Sequence, residues 1–526
     1  MKYLSFFSLC FFATLSIFAQ DIAFDSTAHR FGKSITEIEL EEHLSILASD
    51  EYQGRETGEK GQKMAAEYIA KLFTSIGFAP GNPQDGTYFQ DIPLQESSWD
   101  SPTLSVNGQT FEFLSDFYGF PGTTSKNISN NNNVVFMGYG IDDEKYTDYT
   151  MDVTGKVVVV YDGEPQSESG IYRVTGNTEP SEWSSKWQAK LEAATQKGAN
   201  MLLIVDTDLK KNVARYRPYL SGGGMKLQDG LENKLVNTFY ISQDIFDQLF
   251  PAKKIKKRVR LITEKGIAKG LKSKKTIDFN IKKEVKKFSS ENVLGFIEGS
   301  DLKNEILVIT SHYDHIGMDG DKIFNGADDD GSGTVALLEI AEAFAKAKAM
   351  GHGPRRSILF MTVSGEEKGL LGSEHYVTNP LYPLDMTIAD LNIDMIGRTG
   401  DQHDDNDAND RNYVYIIGSD KLSTELHAIN ETANKLYTNM TLDYTYNDPE
   451  DPNRFYYRSD HYNFAKNDIP IIFYFNGTHA DYHQETDTVE KIEFDMLEKR
   501  ARLVFYTAWQ LVNQDKRIEV DVIDAE

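Results

Sequence analysis

Between Ser311 and Thr488 the chain sets out side chains that hold divalent metals and move protons, in the order His, Asp, Glu-Glu, Asp, His. They fall in five short segments: SHYDHIG (311–317), NGADDDGSG (325–333), SGEEKGLLGS (364–373), NIDMIG (392–397) and DYHQETDT (481–488). Imidazole nitrogen and carboxylate oxygen are the donors that Zn²⁺ takes where no thiolate is offered. A pair of metals also needs a carboxylate shared between them, and the aspartate run 328–330, flanked by glycines, can bring one in without crowding. Adjacent Glu366 and Glu367 suit a division of labour in which one binds metal and the other accepts and returns a proton. Standing alone, such a pair would be a solvated helix N-terminus favoured by the helix dipole. Together the segments point to metal-assisted hydrolysis.

Such chemistry requires elements that bring distant residues to one place. Past Asn292 the sequence alternates apolar runs with amphipathic stretches: NVLGFIEG, EILVITSH, the helix GTVALLEIAEAFAKAKA, SILFMTVS, the helix EKGLLGSEHYV, IADLNIDMI, YVYIIG, PIIFYF and the helix FDMLEKRARLVFYTAWQLVNQ. This alternation implies an α/β fold with a mostly parallel sheet and helices on both faces. His312, Glu366, Glu367, Asp394 and His483 each follow an apolar run, and ligands bind such sheets outside the carboxyl ends of the strands. Upstream, ITEIELEEHLSILASDEY and EKGQKMAAEYIAKLFTSIGF read as helices, the first with Ile38, Leu40, Leu44, Ile46 and Leu47 on one stripe. Between about Ser97 and Ser290 the character changes to short β-like runs, one helix over KWQAKLEAATQKGA and a buried-type strand NMLLIVDT, which implies a β-rich insert.

The formal charge of −26 makes nucleic acid an unsuitable partner. The one basic block, Lys253 to Lys287, holds 15 Lys and Arg against three acids and reads as a solvated face of alternating strands such as RVRLI and TIDFNI. The Asp-rich stretch 400–412 lacks the glycine and terminal glutamate of a calcium-binding helix–loop–helix and reads as a solvated loop. Residues 1–19, with Lys2 ahead of an uncharged run from Tyr3 to Phe18, read as a secretory signal peptide too short to span a bilayer. The expected location is therefore periplasmic or extracellular, with no stable membrane insertion. Cys10, the one cysteine, lies in that run, so export would leave a chain without disulfides.

The five segments resemble the co-catalytic dizinc metallopeptidase family of bacterial aminopeptidases and glutamate carboxypeptidases, with glutaminyl cyclases as a divergent branch. The resemblance implies two Zn²⁺ per chain held by His312, Asp329, Glu367, Asp394 and His483. Asp329 would bridge the metals and precede a cis peptide, although three consecutive aspartates leave the register between 328 and 330 open on sequence alone; His479 competes with His483 for the final place. Glu366 would be the general base, Asp314 the carboxylate orienting His312, and Tyr482 the hydroxyl that supports the oxyanion. It further implies a division into residues 20–96 and 291–526, which together form the peptidase domain, and 97–290, similar to a protease-associated domain. The expected activity is an aminopeptidase on peptide substrates. A glutamate-type carboxypeptidase is the alternative within the family; a glutaminyl cyclase would need one zinc, and a receptor-like protein on this scaffold would have lost ligands that are all retained here. The sequence leaves the oligomeric state open.

Overall fold

The computed structural model describes residues 23–522 except 121–124, 222–223 and 229–234, so the signal-peptide segment lies outside the described residues. The chain divides into two compact units, one ending at Ile92 and resuming at Ser290, the other running from Pro93 to Ser289.

The sheet of the first unit is built from β1 (Phe89–Trp99) and β2 (Lys283–Ile297), each of which crosses the division between the units, with β3 (Leu302–His312), β4 (Arg356–Val363), β5 (Thr387–Ile393), β6 (Tyr413–Ile417), β7 (Thr441–Asp443) and β8 (Ile471–Phe475). Along the sheet they run β1-β2-β4-β3-β5-β8-β6-β7. The central four, β4, β3, β5 and β8, are mutually parallel, while β2 on β4 and β6 on β8 are antiparallel. The expected parallel sheet is thus a parallel centre with antiparallel flanks. Since β3 leads to β4 on one side and β4 leads to β5 on the other, the order reverses beside β3. The crevice at such a reversal, at the carboxyl ends, is where these sheets bind ligands.

Burial of the parallel strands on both faces explains their unbroken apolar runs. In β4, Ile358 and Phe360 join one core while Leu359, Met361 and Val363 join the opposite one. The first core is closed by α1 (Ser26–Gly32), α2 (Glu37–Leu47), α3 (Lys60–Ser75), α4 (Gly333–Ala349), α6 (Thr424–Ala433) and α8 (Phe494–Asn513). The second is closed by α5 (Leu371–Thr378) and α7 (His461–Ala465). On α2 the buried stripe is Leu40, Leu44 and Leu47, whereas Ile38 is 69 % exposed. The helix starts only at Glu37, capped by the Thr36 hydroxyl, and in that phase Ile38 faces outward.

The second unit holds a six-stranded sheet whose inner strands Val134–Phe136, Val157–Tyr161, Met201–Val205 and Thr238–Ile241 are parallel, and a separate four-stranded antiparallel sheet. It also holds several helices, so this unit is mixed α/β rather than simply β-rich. The RVRLI segment is helical, within Ala252–Lys265, against the expectation of a strand. Ile255 and Ile262, seven apart, form its buried side, and the basic residues occupy the rest of the turn. Local alternation concealed that longer period.

One contact fixes α2 against α4. Buried Glu339 and half-buried Glu342 face His43 at 3.5 and 3.8 Å, and the other ring nitrogen of His43 lies 2.6 Å from Tyr68 Oη. Burial alone would lower the His43 pKa, but the two carboxylates more than offset it and raise it to about 9. A raised histidine pKa contributes stability that is complete below about 6.5 and is lost as pH climbs through 9. Burial lifts the Glu339 carboxyl in turn and takes back part of the effect. A contribution of about 2 kcal/mol follows. Urea unfolding at pH 7 and pH 9.5 should show the wild type losing that amount beyond what His43→Gln loses over the same interval; equal losses would remove the triad from the account.

Candidate metal centre

Four of the five segments follow strands of the central sheet, and the fifth opens a helix. His312 is the last residue of β3, Glu366 and Glu367 follow β4 through Gly365 at φ +83°, Asp394 follows β5, and His483 lies in the loop after β8. The aspartates occupy the turn 327–332 that opens α4. Gly326, at φ +55°, precedes that turn, and a Cβ there would meet Asp329 O at 2.3 Å and the His315 ring at 2.5 Å. Only glycine lets the turn close this tightly.

The geometry separates the three aspartates. Asp328 Oδ1 accepts from Gly397 N at 2.7 Å and Ser332 Oγ at 2.9 Å, and its Oδ2 lies 3.1 Å from His479 Nε2. Asp330 accepts from His312 N, Gly333 N and Met395 N at 2.9–3.2 Å. Both are thereby occupied in holding the loops together. Asp329 alone turns toward the other candidates: its Oδ1 lies 3.3 Å from His312 Nε2, and its Oδ2 lies 3.0 Å from His483 Nε2 and 3.8 Å from His315 Nδ1. The Asp329–Asp330 peptide is cis.

Two sets of donors therefore share Asp329. One is His312, Asp329 and Asp394, with His312 Nε2 3.6 Å from Asp394 Oδ1. The other joins Asp329 with Glu367 and His315, and His483 Nε2 lies 3.2 Å from Glu367 Oε2. Asp329 Oδ2, Glu367 Oε1, His483 Nε2 and both ring nitrogens of His315 are buried without a hydrogen-bond partner. Electron-pair donors gathered so closely repel unless a cation stands among them, and this donor set fits two divalent metals. His479, the competitor for the last place, is taken by Asp328 instead.

Supporting groups orient these donors. His312 Nδ1 lies 3.0 Å from the main-chain carbonyl of Asp314, whereas the Asp314 carboxylate is 3.9 Å away. A carbonyl only accepts, so Nδ1 carries the proton and Nε2 presents its lone pair to the cluster. The orienting group expected of the Asp314 carboxylate is thus its backbone oxygen, while the carboxylate accepts from the Thr57 hydroxyl at 2.5 Å and from Glu366 N at 3.4 Å. Asp394 Oδ2 accepts from Ser459 Oγ at 2.7 Å. Asp487 accepts from Asp328 N and Asp329 N at 3.0–3.2 Å, and burial raises its pKa to about 6. Burial pushes the Glu366 carboxyl well above the usual range; His312 opposes this, and Glu367 and Asp394 reinforce it. Tyr482 stacks on the His483 ring at 3.9 Å and, with Asp329, Glu366, Asp394, Met395, Phe455, Arg458, Phe473 and Phe475, lines a recess beside the cluster.

His315, Thr57, Ser459 and Asp487 were not singled out from the sequence. His315 stands in the same SHYDHIG motif as His312, and Asp487 in the same DYHQETDT motif as His483, so proximity within a motif was the available signal. Thr57 and Ser459 had none. In the 400–412 loop Asp410 pairs with His403 at 2.9 Å and accepts from Asp404 N at 2.7 Å, while Arg411 reaches out of the loop to Glu493 and Asp495.

The fold and the paired donor sets define a protein of the co-catalytic metal-centre type on an α/β sheet. Residues 292–508 match the model of Peptidase family M28. A probable zinc metalloprotease of Pyrenophora tritici-repentis is 28% identical over 285 residues, 45% of this chain and 55% of that protein. Aminopeptidase YwaD of Bacillus subtilis is 25% identical over 232 residues, 44% of this chain and 46% of the relative. The chain thus spans about half the length of the curated relatives it matches. The solved structure of an aminopeptidase from Aneurinibacillus sp. strain AM-1 shares the fold, with a TM-score of 0.56 at 20% identity, covering 94% of this chain and 98% of that one.

Asp487→Ala would leave the Asp328 and Asp329 amides buried without an acceptor, at a cost of about 1–3 kcal/mol. Chemical denaturation should show that loss, and a variant as stable as wild type would mean that the loop is held by other contacts.

Proposed function

We propose that this chain is an exported dizinc aminopeptidase, with His312 and Asp394 holding one zinc, Glu367 and His483 the other, and Asp329 bridging. The observation that carries the reading is the sharing of Asp329 between two donor sets. Zinc in those positions would supply Lewis acidity to the scissile carbonyl and lower the pKa of a water shared between the ions. Glu366, which lines the recess and lies 3.9 Å from His312 Nε2, would take the proton of that water and return it to the leaving amine. The Tyr482 hydroxyl faces the same recess, where it can steady the developing oxyanion.

The recess favours an apolar first side chain, since Met395, Phe455, Phe473 and Phe475 form its wall. Asp328 and Asp330 are engaged with backbone amides, so Glu366 and Asp394 are the carboxylates left to meet a cationic α-amine. Residues 1–19 act as the export signal in this reading. The Pro93–Ser289 unit is a protease-associated module that restricts substrates to short peptides. Among the described residues no helix is long and apolar enough to cross a membrane. One observation favours the carboxypeptidase alternative: Arg458, the one cation lining the recess, lies 4.8 Å from the Phe455 ring centroid and 3.4 Å from Tyr482 Oη, where it could meet a free carboxylate.

Purified protein should carry two zinc equivalents by elemental analysis and lose peptidase activity with chelator; stable occupancy by one would refute the dizinc assignment. Glu366→Gln should cut turnover at least ~10²-fold with both metals retained, since the amide cannot accept a proton. Glu367→Gln should instead release metal. One apolar tetrapeptide, free or blocked at each end, decides between the two exopeptidase readings. N-acetylation should slow cleavage strongly and C-terminal amidation should not. The reverse pattern, abolished by Arg458→Ala, would establish the carboxypeptidase.

A further inference from the structure

Glu339 is the one charged residue among the buried residues of α4. Its side chain is fully enclosed, and both carboxylate oxygens are without a hydrogen-bond partner. A carboxylate withdrawn from water and left unbonded is costly, so what stands in front of it matters. Facing it is His43 of α2, whose Nε2 lies 3.5 Å from Glu339 Oε1 and 3.8 Å from Glu342 Oε1. Glu342 sits three residues further along α4, on the same face. The three side chains offer donor atoms that all lie within 4.8 Å of one another.

Those separations are too long for hydrogen bonds between imidazolium and carboxylate, which run at about 2.7–2.9 Å. They match the spacing of ligands around one ion, since donors about 2.0–2.2 Å from a tetrahedral Zn²⁺ stand roughly 3.3–3.6 Å apart. The strand-end cluster has the same spacing, with His312 Nε2 3.3 Å from Asp329 Oδ1 and 3.6 Å from Asp394 Oδ1. The far side of the His43 ring is also arranged as in a metal-bound imidazole. Its Nδ1 lies 2.6 Å from Tyr68 Oη, and a phenol oxygen that accepts from Nδ1–H leaves Nε2 with its lone pair toward the carboxylates. Glu342 divides its oxygens: Oε1 faces His43 while Oε2 meets Lys346 at 3.4 Å, and Lys346 also reaches Glu39 at 3.6 Å. Three carboxylates against one ammonium leave a charge of minus two, which a divalent ion cancels and a single proton does not.

We propose that His43 Nε2, Glu339 and Glu342 bind a divalent ion, Zn²⁺ by the character of the donors, at a site separate from the strand-end cluster. The proposal does not rest on the dizinc reading. The side chains of His43 and Glu342 are 15 % and 17 % exposed, so solvent reaches the site and can complete the coordination. In the metal-free protein a proton on His43 answers the two carboxylates, and the ion takes its place. With three protein donors and that proton in competition, the site is weaker than the strand-end cluster and fills when Zn²⁺ is added. The ion ties α2 to α4 about two turns beyond the aspartate turn. Arg55 holds the Leu47 carbonyl at the end of α2, so the same ion steadies that helix and the one the aspartate turn opens.

Wild type, His43→Gln and Glu342→Gln, purified alike, are dialysed to equilibrium against excess Zn²⁺, and their zinc content is measured by elemental analysis. Wild type is expected to hold one equivalent more than either variant. Its thermal midpoint should also rise further on adding Zn²⁺ than theirs. The difference between wild type and variant counts this site alone, however many ions the strand-end cluster holds. Glu342→Gln changes a side chain at the edge of the core, so it supplies the comparison even where His43→Gln weakens the fold. Equal zinc content in wild type and His43→Gln overturns the proposal. So does a Glu342→Gln protein that keeps the additional ion.

Discussion

Too much negative charge is buried at one end of the sheet for the protein to carry unaided. Asp314, Asp328, Asp329, Asp330, Asp394, Asp460 and Asp487 are all buried, with Glu366 and Glu367 beside them. Carboxylates moved from water into a protein interior cost several kcal/mol each unless they are paired and hydrogen-bonded. The structure answers in two ways. Asp328, Asp330 and Asp487 are satisfied by main-chain N–H groups of the loops that close the site, so their charge stiffens the scaffold. Asp329, Asp394 and Glu367 face imidazoles and one another, an arrangement that fits divalent cations among them.

Arg55 shows how the loops are kept in place without adding to that competition. Among the described residues its buried guanidinium donates to no carboxylate. It donates instead to the main-chain oxygens of Leu47, Tyr313, Asn325 and Gly326 at 2.7–2.9 Å. Those carbonyls belong to the end of α2, the stretch after β3 and the approach to the aspartate turn. A lysine could not span them, because it lacks the planar fork of five donors. Burial lowers the Arg55 pKa while Asp487, Asp314, Asp329 and Asp330 act against that, so the same cation also offsets part of the aspartate charge. The N-terminal segment, remote in sequence from every candidate ligand, is in this way part of the site's support.

The legible part of the fold was the part governed by periodicity. Parallel strands buried on both faces leave unbroken apolar runs, α4 is apolar nearly all round and α8 carries a helical stripe, so the central architecture was legible in the sequence. Where two periods compete the sequence misled: Arg258 to Ile262 alternates like a strand but packs as a helix through Ile255 and Ile262. In the site, the residue types at strand ends were legible, but the register of Asp328, Asp329 and Asp330 was not. Three identical side chains differ only in where the turn points them, and that is decided by Gly397, Met395 and Asp487, between 65 and 159 residues away. That His312 meets the carbonyl of Asp314 rather than its carboxylate is a distinction that no motif encodes.

The imidazoles decide what the carboxylates become. His312 is fixed by a carbonyl so that its free nitrogen faces Asp329 and Asp394, while His483 and His315 take opposite oxygens of Glu367. Glu366 is left with an imidazole 3.9 Å away and a place in the lining of the recess, in surroundings that favour its protonated form. The contrast between the two adjacent glutamates therefore does not reside in the glutamates themselves. It follows from three histidines delivered by β3, the segment just after it and the loop after β8.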